Sequence, residues 1–265
     1  MSHKIRLIGA PTDVNSSFLH GPAKAPPKIR ALLFSDMGNP AAENGLELGA
    51  DIQFDDAGDL PLDEGPDDDA RIQAAMGQAY ADGYRPILLG GDHAVTYPAL
   101  RAVAARHGPV EILHFDAHPD LYDELLGNRR SHASPFARIM EEGLAKRLVQ
   151  VGIRTLNPHQ RDQAARFGVE IVPMRDFTAD LVPRLDGPVY VSIDLDGLDP
   201  AFAPGVSHHE PGGLSVRQVL DVLARITAPV IGADVVELNP DRDLNDMTAA
   251  VAAKLVKELC ALMAR

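Results

Sequence analysis

The sequence predicts an α/β fold built on a mainly parallel sheet. Short apolar runs rich in Val, Ile and Leu recur along the chain, as strands buried on both faces require. Segments with helical spacing of apolar residues alternate with them, the pattern of right-handed βαβ units. Several runs end in Asp- or His-bearing turns, the place where open parallel sheets build their sites.

In chain order, residues 4–9 form a first strand, followed by the long polar, proline-rich connection PTDVNSSFLHGPAKAPP, a length often kept for function. Pro26 and Pro27 suit the first turn of a helix reaching residue 34. Residues 36–66 read as irregular, with a weaker strand at 51–54. Asp67, Asp68 and Asp69 place negative charge at the start of a helix through residue 80, ended by Gly83. A strand at 86–89 leads into GGDH, and a helix covers 95–107. The strand at 110–115 opens into DAHPD, where Pro119 removes an N–H as the chain leaves the sheet. A helix at 135–146 follows, then strands at 147–153 and 169–172 around a helical stretch at 158–167. The strand at 188–193 enters DLDGLDPAFAPG, and Ser215 is a good N-cap for a helix over 216–226. A strand at 230–236 and an amphipathic helix at 246–264 complete the chain. No repeat, low-complexity tract or linker divides it, so residues 1–265 are expected to form one domain.

A net charge of −13 argues against nucleic acid as a partner, because phosphate binding needs a basic surface. No apolar run approaches the roughly 20 residues that cross a bilayer. One cysteine, Cys260, excludes an intramolecular disulfide and reads as a small core residue without activating surroundings. With no signal-peptide pattern near the start, a cytoplasmic location is expected.

The chemistry lies at the strand ends. Asp116, His118 and Asp120 alternate along extended backbone and so face one side. The same edge receives His93, then Asp194 and Asp196, then Asp234 and Glu237. So many acids from four strands would repel one another without a cation. Carboxylates mixed with imidazole suit ions of the Mn, Fe or Zn kind better than Ca or Mg. His93, Asp116, His118, Asp120, Asp194 and Asp196 are too many ligands for one tetrahedral ion and suit two ions sharing carboxylates. A two-metal site implies hydrolysis, with phosphoesters and peptides also open as substrates on these residues alone. P-loop, GxSxG and strand-following GxGxxG motifs are missing, which leaves nucleotide binding and serine hydrolysis without support.

GGDH at 90–93, DAHPD at 116–120 and SIDLDGLDP at 192–200 resemble the three metal-binding signatures of the ureohydrolases, the arginase–agmatinase superfamily. The resemblance runs from LIGAPTDVNSSFLHGPAKAPPKIR to GADVVELNPDRD and MTAAVAAKLVKEL, nearly the whole chain. HPDLYDELLGN, SHASPFARIMEEG and APGVSHHEPGGLS look most like plant-type arginases. The resemblance implies a three-layer α/β/α sandwich, two Mn2+ per chain, urea release from a guanidino substrate, and a homo-oligomer, trimer or hexamer. It implies that His93, Asp116, Asp120 and Asp194 hold one ion, and His118, Asp116, Asp194 and Asp196 the other. Glu237 matches the glutamate that binds the guanidinium, and His132 the histidine that shuttles protons; Asp120 is the other candidate for proton delivery.

L-arginine is the expected substrate. Agmatine or another guanidino compound is the alternative, and a non-catalytic binding protein of this fold a third reading. Arginine and agmatine differ at the far end, so selection is expected from the loop with Asn128, Arg129, Arg130, Ser131 and Ser134, Asn128 and Ser131 donating to an α-carboxylate. GIRTLNP lacks the aspartate with which animal arginases hold the α-amino group, leaving Asn157 or a partner chain for that task. His208, His209 and Glu210 are read as a substrate loop rather than further ligands. His3, His20, His107, His114 and His159 carry no supporting pattern.

Overall fold

The computed structural model describes residues 4–265; His3 lies outside them. Eight strands, β1 (Lys4–Ala10), β2 (Gln53–Asp59), β3 (Arg85–Gly90), β4 (Val110–Phe115), β5 (Ala145–Ile153), β6 (Glu170–Pro173), β7 (Val189–Asp194) and β8 (Val230–Val236), form one sheet. Its order is β2-β1-β3-β8-β7-β4-β5-β6, and every pairing is parallel. The helices are α1 (Ala25–Leu33), α2 (Asp68–Ala81), α3 (Thr96–His107), α4 (Pro135–Glu141), α5 (Pro158–Phe167), α6 (Val216–Ala224) and α7 (Met247–Met263).

The layers follow from the strand period of two. Ile87 and Leu89 join the core shared with Ile29 of α1, Val219 of α6 and Val256 of α7. Leu88, between them, joins the opposite core with Met76 of α2, Leu100 of α3, Phe136 of α4 and Ala164 of α5. Helices therefore cover both faces, giving the expected α/β/α sandwich. β4, β7 and β8 are buried along their whole length. Cys260 is a buried free thiol of α7, as expected. Among the described residues no helix is long and apolar enough to cross a membrane.

Local chemistry explains most boundaries. Pro26 and Pro27 sit at the start of α1, and Ser215 closes a capping box with Gln218 on α6. The helix expected to reach residue 146 stops at Glu141, because Gly143 turns left-handed (φ 64°) and the chain enters β5 at Ala145. β2 is longer than its apolar pattern suggests. As an edge strand it carries Asp55, Asp56 and Asp59, which Arg6 and Arg30 neutralise.

The strand order creates the site. β3 and β4 follow each other in sequence but are separated in space by β8 and β7, a topological switch point at the middle of the sheet. At its edge Gly91 N–H donates to Ala10 O (3.0 Å) and Gly91 O accepts from Glu237 N (2.9 Å). A Cβ on Gly91 would stand 1.7 Å from Thr12 O, a backbone atom that cannot step aside. Gly91→Ala is therefore expected to cost about 3 kcal/mol in urea unfolding. Gly77→Ala, inside α2 with open space at its Cβ, is expected to raise stability by about 0.5–1 kcal/mol. Equal midpoints for Gly91→Ala and the unchanged protein would show that the approach is not there.

Candidate metal centre and substrate pocket

Register levels the four central strand ends. Leu89 pairs with Val235, Asp194 with Val236 and Phe115 with Ile193, so the residues that follow emerge side by side. β3 delivers His93, β8 Glu237, β7 Asp194 and Asp196, and β4 Asp116, His118 and Asp120. All six expected metal ligands fall into two groups: His93, Asp116, Asp120 and Asp194 in one, Asp116, His118 and Asp196 in the other.

In the first group His93 Nδ1 lies 3.0 Å from Asp120 Oδ2, 3.0 Å from Asp194 Oδ2 and 3.3 Å from Asp116 Oδ2. In the second, His118 Nδ1 lies 3.1 Å from Asp196 Oδ2 and 3.4 Å from Asp116 Oδ1. Asp116 thus offers one oxygen to each group. Asp194, expected in both, stands in the first only; its Oδ1 accepts the Asp196 amide at 2.8 Å.

The donors fit a divalent cation. His93 Nδ1 is buried and has no hydrogen-bond partner among the described residues, although three carboxylates surround it. Its other nitrogen, Nε2, is 3.0 Å from Ser192 Oγ, and that hydroxyl donates to Asp234 Oδ1 at 2.7 Å. The serine has one proton to give, so it accepts from Nε2–H, and the Nδ1 lone pair faces the acids. Burial pushes His93 towards neutrality, but the three carboxylates outweigh it and raise its proton affinity well above that of a free histidine. Burial also holds Asp194 well above the usual carboxylate range, with Asp196 and Asp116 adding repulsion. It pushes Asp196 up to about 7, against the nearby His118. Asp116 goes the other way: burial would raise it, but His114, His118 and His93 together bring it well below the ordinary range.

One supporting residue, His114, escaped the sequence reading, and another, Asp234, was expected at the edge itself. His114 accepts from Gln150 Nε2 (3.1 Å) through Nδ1, so its Nε2–H donates to Asp116 Oδ2 at 2.8 Å. Its position two before Asp116, on the same strand face, was the available signal. Asp234 lies inside β8 rather than at the edge, accepting from Ser192, Thr96 and Tyr190 hydroxyls.

A cavity of about 200 Å³ opens beside both groups, lined by His118, Asp120, His132, His208, Glu210 and Glu237, with the exposed Ser17, Tyr122 and the buried Gln160 also in its wall. Glu237 has positive φ (65°), as does Asp120 (50°), backbone that ordinary residues avoid. Glu237 Oε1 accepts from His93 N (2.9 Å) and His132 Nδ1 (2.8 Å), which leaves Oε2 without a donor among the described residues. Burial alone would lower His132, but Glu237 raises it to about 9. Ser17 approaches His132 Nε2 with its hydroxyl at 2.8 Å and its amide at 3.2 Å.

Leu125, His132 and Ala133 of the loop expected to bind an α-carboxylate line this cavity, but Asn128, Arg129, Arg130, Ser131 and Ser134 do not. Asn128 donates to Asn15 Oδ1 (3.1 Å), and Ser131 Oγ accepts from Ala133 N (3.3 Å). Arg129 pairs with Asp123 and Glu141, and Arg130 forms a bidentate pair with Asp69 over the Tyr97 ring. Ser134 is buried just before α4. Asn157 caps α5, accepting from Gln160 N. Asn128, Arg129, Arg130 and Ser131 brace the loop behind His132 through these nearer partners, whereas Ser134 Oγ is buried with no partner among the described residues. His208 and Glu210 line the cavity, as a substrate loop would, and neither they nor His209 enters a metal group among the described residues.

The model of the arginase family matches residues 3–261. A protein of Arabidopsis thaliana named Arginase 1, mitochondrial, is 52% identical over 98% of this chain and 81% of its own length. The human Guanidino acid hydrolase, mitochondrial, is 38% identical over 97% of this chain and 77% of its own. A solved structure, Arginase from Medicago truncatula, superposes with a TM-score of 0.93 at 44% identity, covering 100% of this chain and 88% of that one. The cytoplasmic expectation is corrected by these names, since the similar plant arginases are mitochondrial proteins. Lack of disulfides fits a reducing interior and does not choose among compartments that have one. Fold, buried ligand groups and full-length similarity agree, and the chain belongs to the arginase family of hydrolases.

Proposed function

We propose that this enzyme hydrolyses L-arginine to L-ornithine and urea with two Mn2+ ions in the paired ligand groups. The observation that carries the reading is Asp116, whose two oxygens serve two separate ligand groups beside a pocket that ends in Glu237. Four buried aspartates bring four negative charges, which two divalent cations would neutralise. His93, Asp116, Asp120 and Asp194 would hold one ion, and Asp116, His118 and Asp196 the other. When bound, such a pair acidifies water enough to supply a nucleophile at neutral pH.

The chain's own residues supply the rest. The free Oε2 of Glu237 is placed to accept guanidinium N–H groups in a charge-assisted bond, while the His93 amide and His132 fix the carboxylate plane. A guanidinium carbon is a poor electrophile, so holding it in one orientation is a large part of the task. The departing amine needs a proton. His132 keeps one near neutral pH, and the guanidinium's charge on Glu237 weakens that hold, favouring its release. Ser17, on the other ring nitrogen, gives the imidazole a path to the mouth for reprotonation.

At the mouth Glu210 offers an acceptor for an α-ammonium. Ser17 and Gln160 offer donors for an α-carboxylate; Gln160 Oε1 is committed to Leu121 N, and its Nε2 has no acceptor among the described residues. Agmatine lacks that carboxylate, and the resemblance to a plant arginase exceeds that to the guanidino acid hydrolase.

Three outcomes are expected. Glu237→Gln should lower kcat/KM for arginine by about 30- to 5000-fold, the range for truncating a buried charge pair. His132→Asn should lower kcat by about 100-fold or more with ion content unchanged. Because the His132 pKa is raised in the free enzyme, its proton persists above the usual 6.5 and is lost through about 9, so kcat/KM should fall above that pH and the variant should lack this limb. An unaltered pH–rate profile in His132→Asn would remove the proton-donor role. Urea release should also favour arginine over agmatine, by about 10⁴-fold if buried donors are left unpaired; equal or faster turnover of agmatine would overturn the arginase reading while leaving guanidino hydrolysis intact.

A further inference from the structure

Arg154, immediately after β5, has no carboxylate partner among the described residues, although the chain is strongly acidic and its guanidinium is half-buried. Instead each of its five N–H groups meets a backbone carbonyl. Nε donates to Glu210 O (2.8 Å), Nη1 to Gly152 O (3.1 Å) and Gly197 O (3.1 Å), and Nη2 to Asp196 O (2.7 Å) and Leu198 O (3.2 Å). Its own amide donates to Ala117 O at 2.9 Å, between Asp116 and His118, and Thr155 Oγ1 donates to the same oxygen. One residue thus ties together the DAHPD turn, the turn carrying Asp196, and the segment that brings His208 and Glu210 to the cavity.

Gly213 makes room for Arg154, and Gly197 makes room for the backbone at Asp116. A Cβ on Gly213 would lie 2.6 Å from Arg154 Nη2, and one on Gly197 would lie 2.8 Å from Asp116 N. Asp199 completes the clasp, its Oδ2 accepting from Gly212 N (2.6 Å) and Gly213 N (3.1 Å). Across the cavity Glu210 Oε1 stands 3.7 Å from His118 Nε2, so a shift of this segment moves an acid that faces a second-group ligand. The planar fork is what makes the connection possible. A lysine offers three donors from one point and cannot reach carbonyls spread around a plane.

We propose that Arg154 is a positioning residue that locks the Asp196 turn to the Glu210 segment, and thereby sets the second ion's ligands and the rim of the substrate pocket together. This rests on the reading of the pocket as the substrate site, and the test separates the two. The full chain is compared as wild type, Arg154→Gln, Arg154→Lys and Arg161→Gln, the last a surface arginine lining the same outer hollow as Arg154. Amide hydrogen exchange is measured without metal, Mn2+ binding by calorimetry, and urea release from arginine by initial rates.

In Arg154→Gln, exchange over residues 196–214 should quicken at least tenfold while the rest of the chain keeps its rates. The weaker of two Mn2+ associations should weaken at least tenfold with the tighter unchanged. KM for arginine should rise at least tenfold while kcat falls less than threefold. Arg154→Lys should recover only part of each change, and Arg161→Gln should match the wild type. Local exchange and weaker-ion affinity within twofold of wild type would overturn the proposal. So would faster exchange throughout the chain with both ions lost together, since that is a general loss of structure. If Arg154→Gln does not fold, the same criteria apply to Arg154→Lys. Exchange and ion effects as expected, in a protein that releases no urea from arginine, would uphold Arg154 and defeat the proposed function instead.

Discussion

Mutual repulsion among Asp116, Asp120, Asp194 and Asp196, buried together at one sheet edge, is the condition that the surrounding structure has to meet. In a low-dielectric interior such charges are tolerated only when paired and hydrogen-bonded. Three of the four have Oδ1 held by a backbone N–H: Asp116 by His118, Asp194 by Asp196, and Asp196 by Ala117. Their Oδ2 atoms then point inward, towards His93 or His118. In Asp194 and Asp196 one oxygen is satisfied by the chain and the other is left for a cation, whereas in Asp116 each oxygen faces a ligand group while also accepting from His118 N or His114 Nε2.

The next layer follows the same logic. Ser192 and Asp234 turn the His93 ring so that its free nitrogen faces the acids, and His114 with Gln150 orients Asp116 from behind. Asp92, fully buried beside His93, is pushed up to about 7 by burial and by Glu237. Its oxygens accept from the amides of Asn15 and Ala94, which joins the first loop to the site and puts Ser17 against His132. The residues proposed for binding and for proton transfer thus share one support: the strand ends of β3, β4, β7 and β8, with the loop after β1 against them.

Much of this was legible from residue types. Apolar runs marked every central strand, and alternate-position ligands after them marked the metal groups, because both signals are local. The carboxylate-binding role given to Asn128 and Ser131 did not survive contact with the fold. Whether a loop donor faces substrate or a neighbour depends on what folds against it, and here Asn15 arrives from far away in sequence to take the Asn128 donor. Arg154 was invisible for the same reason, since its acceptors are carbonyls, which every residue possesses. The helix expected to run to residue 146 failed on one glycine whose left-handed backbone only the structure displays.

The central claim is that Asp116 joins two ion sites into one centre, and the most direct measurement of it is electron paramagnetic resonance of the Mn2+-loaded protein. Two ions sharing Asp116 should give an exchange-coupled multiline spectrum with a hyperfine spacing about half that of an isolated ion, at two Mn2+ per chain. In Asp116→Ala the coupled spectrum should vanish. A single-ion six-line spectrum from the fully loaded wild type, or a coupled spectrum persisting in Asp116→Ala, would contradict the account.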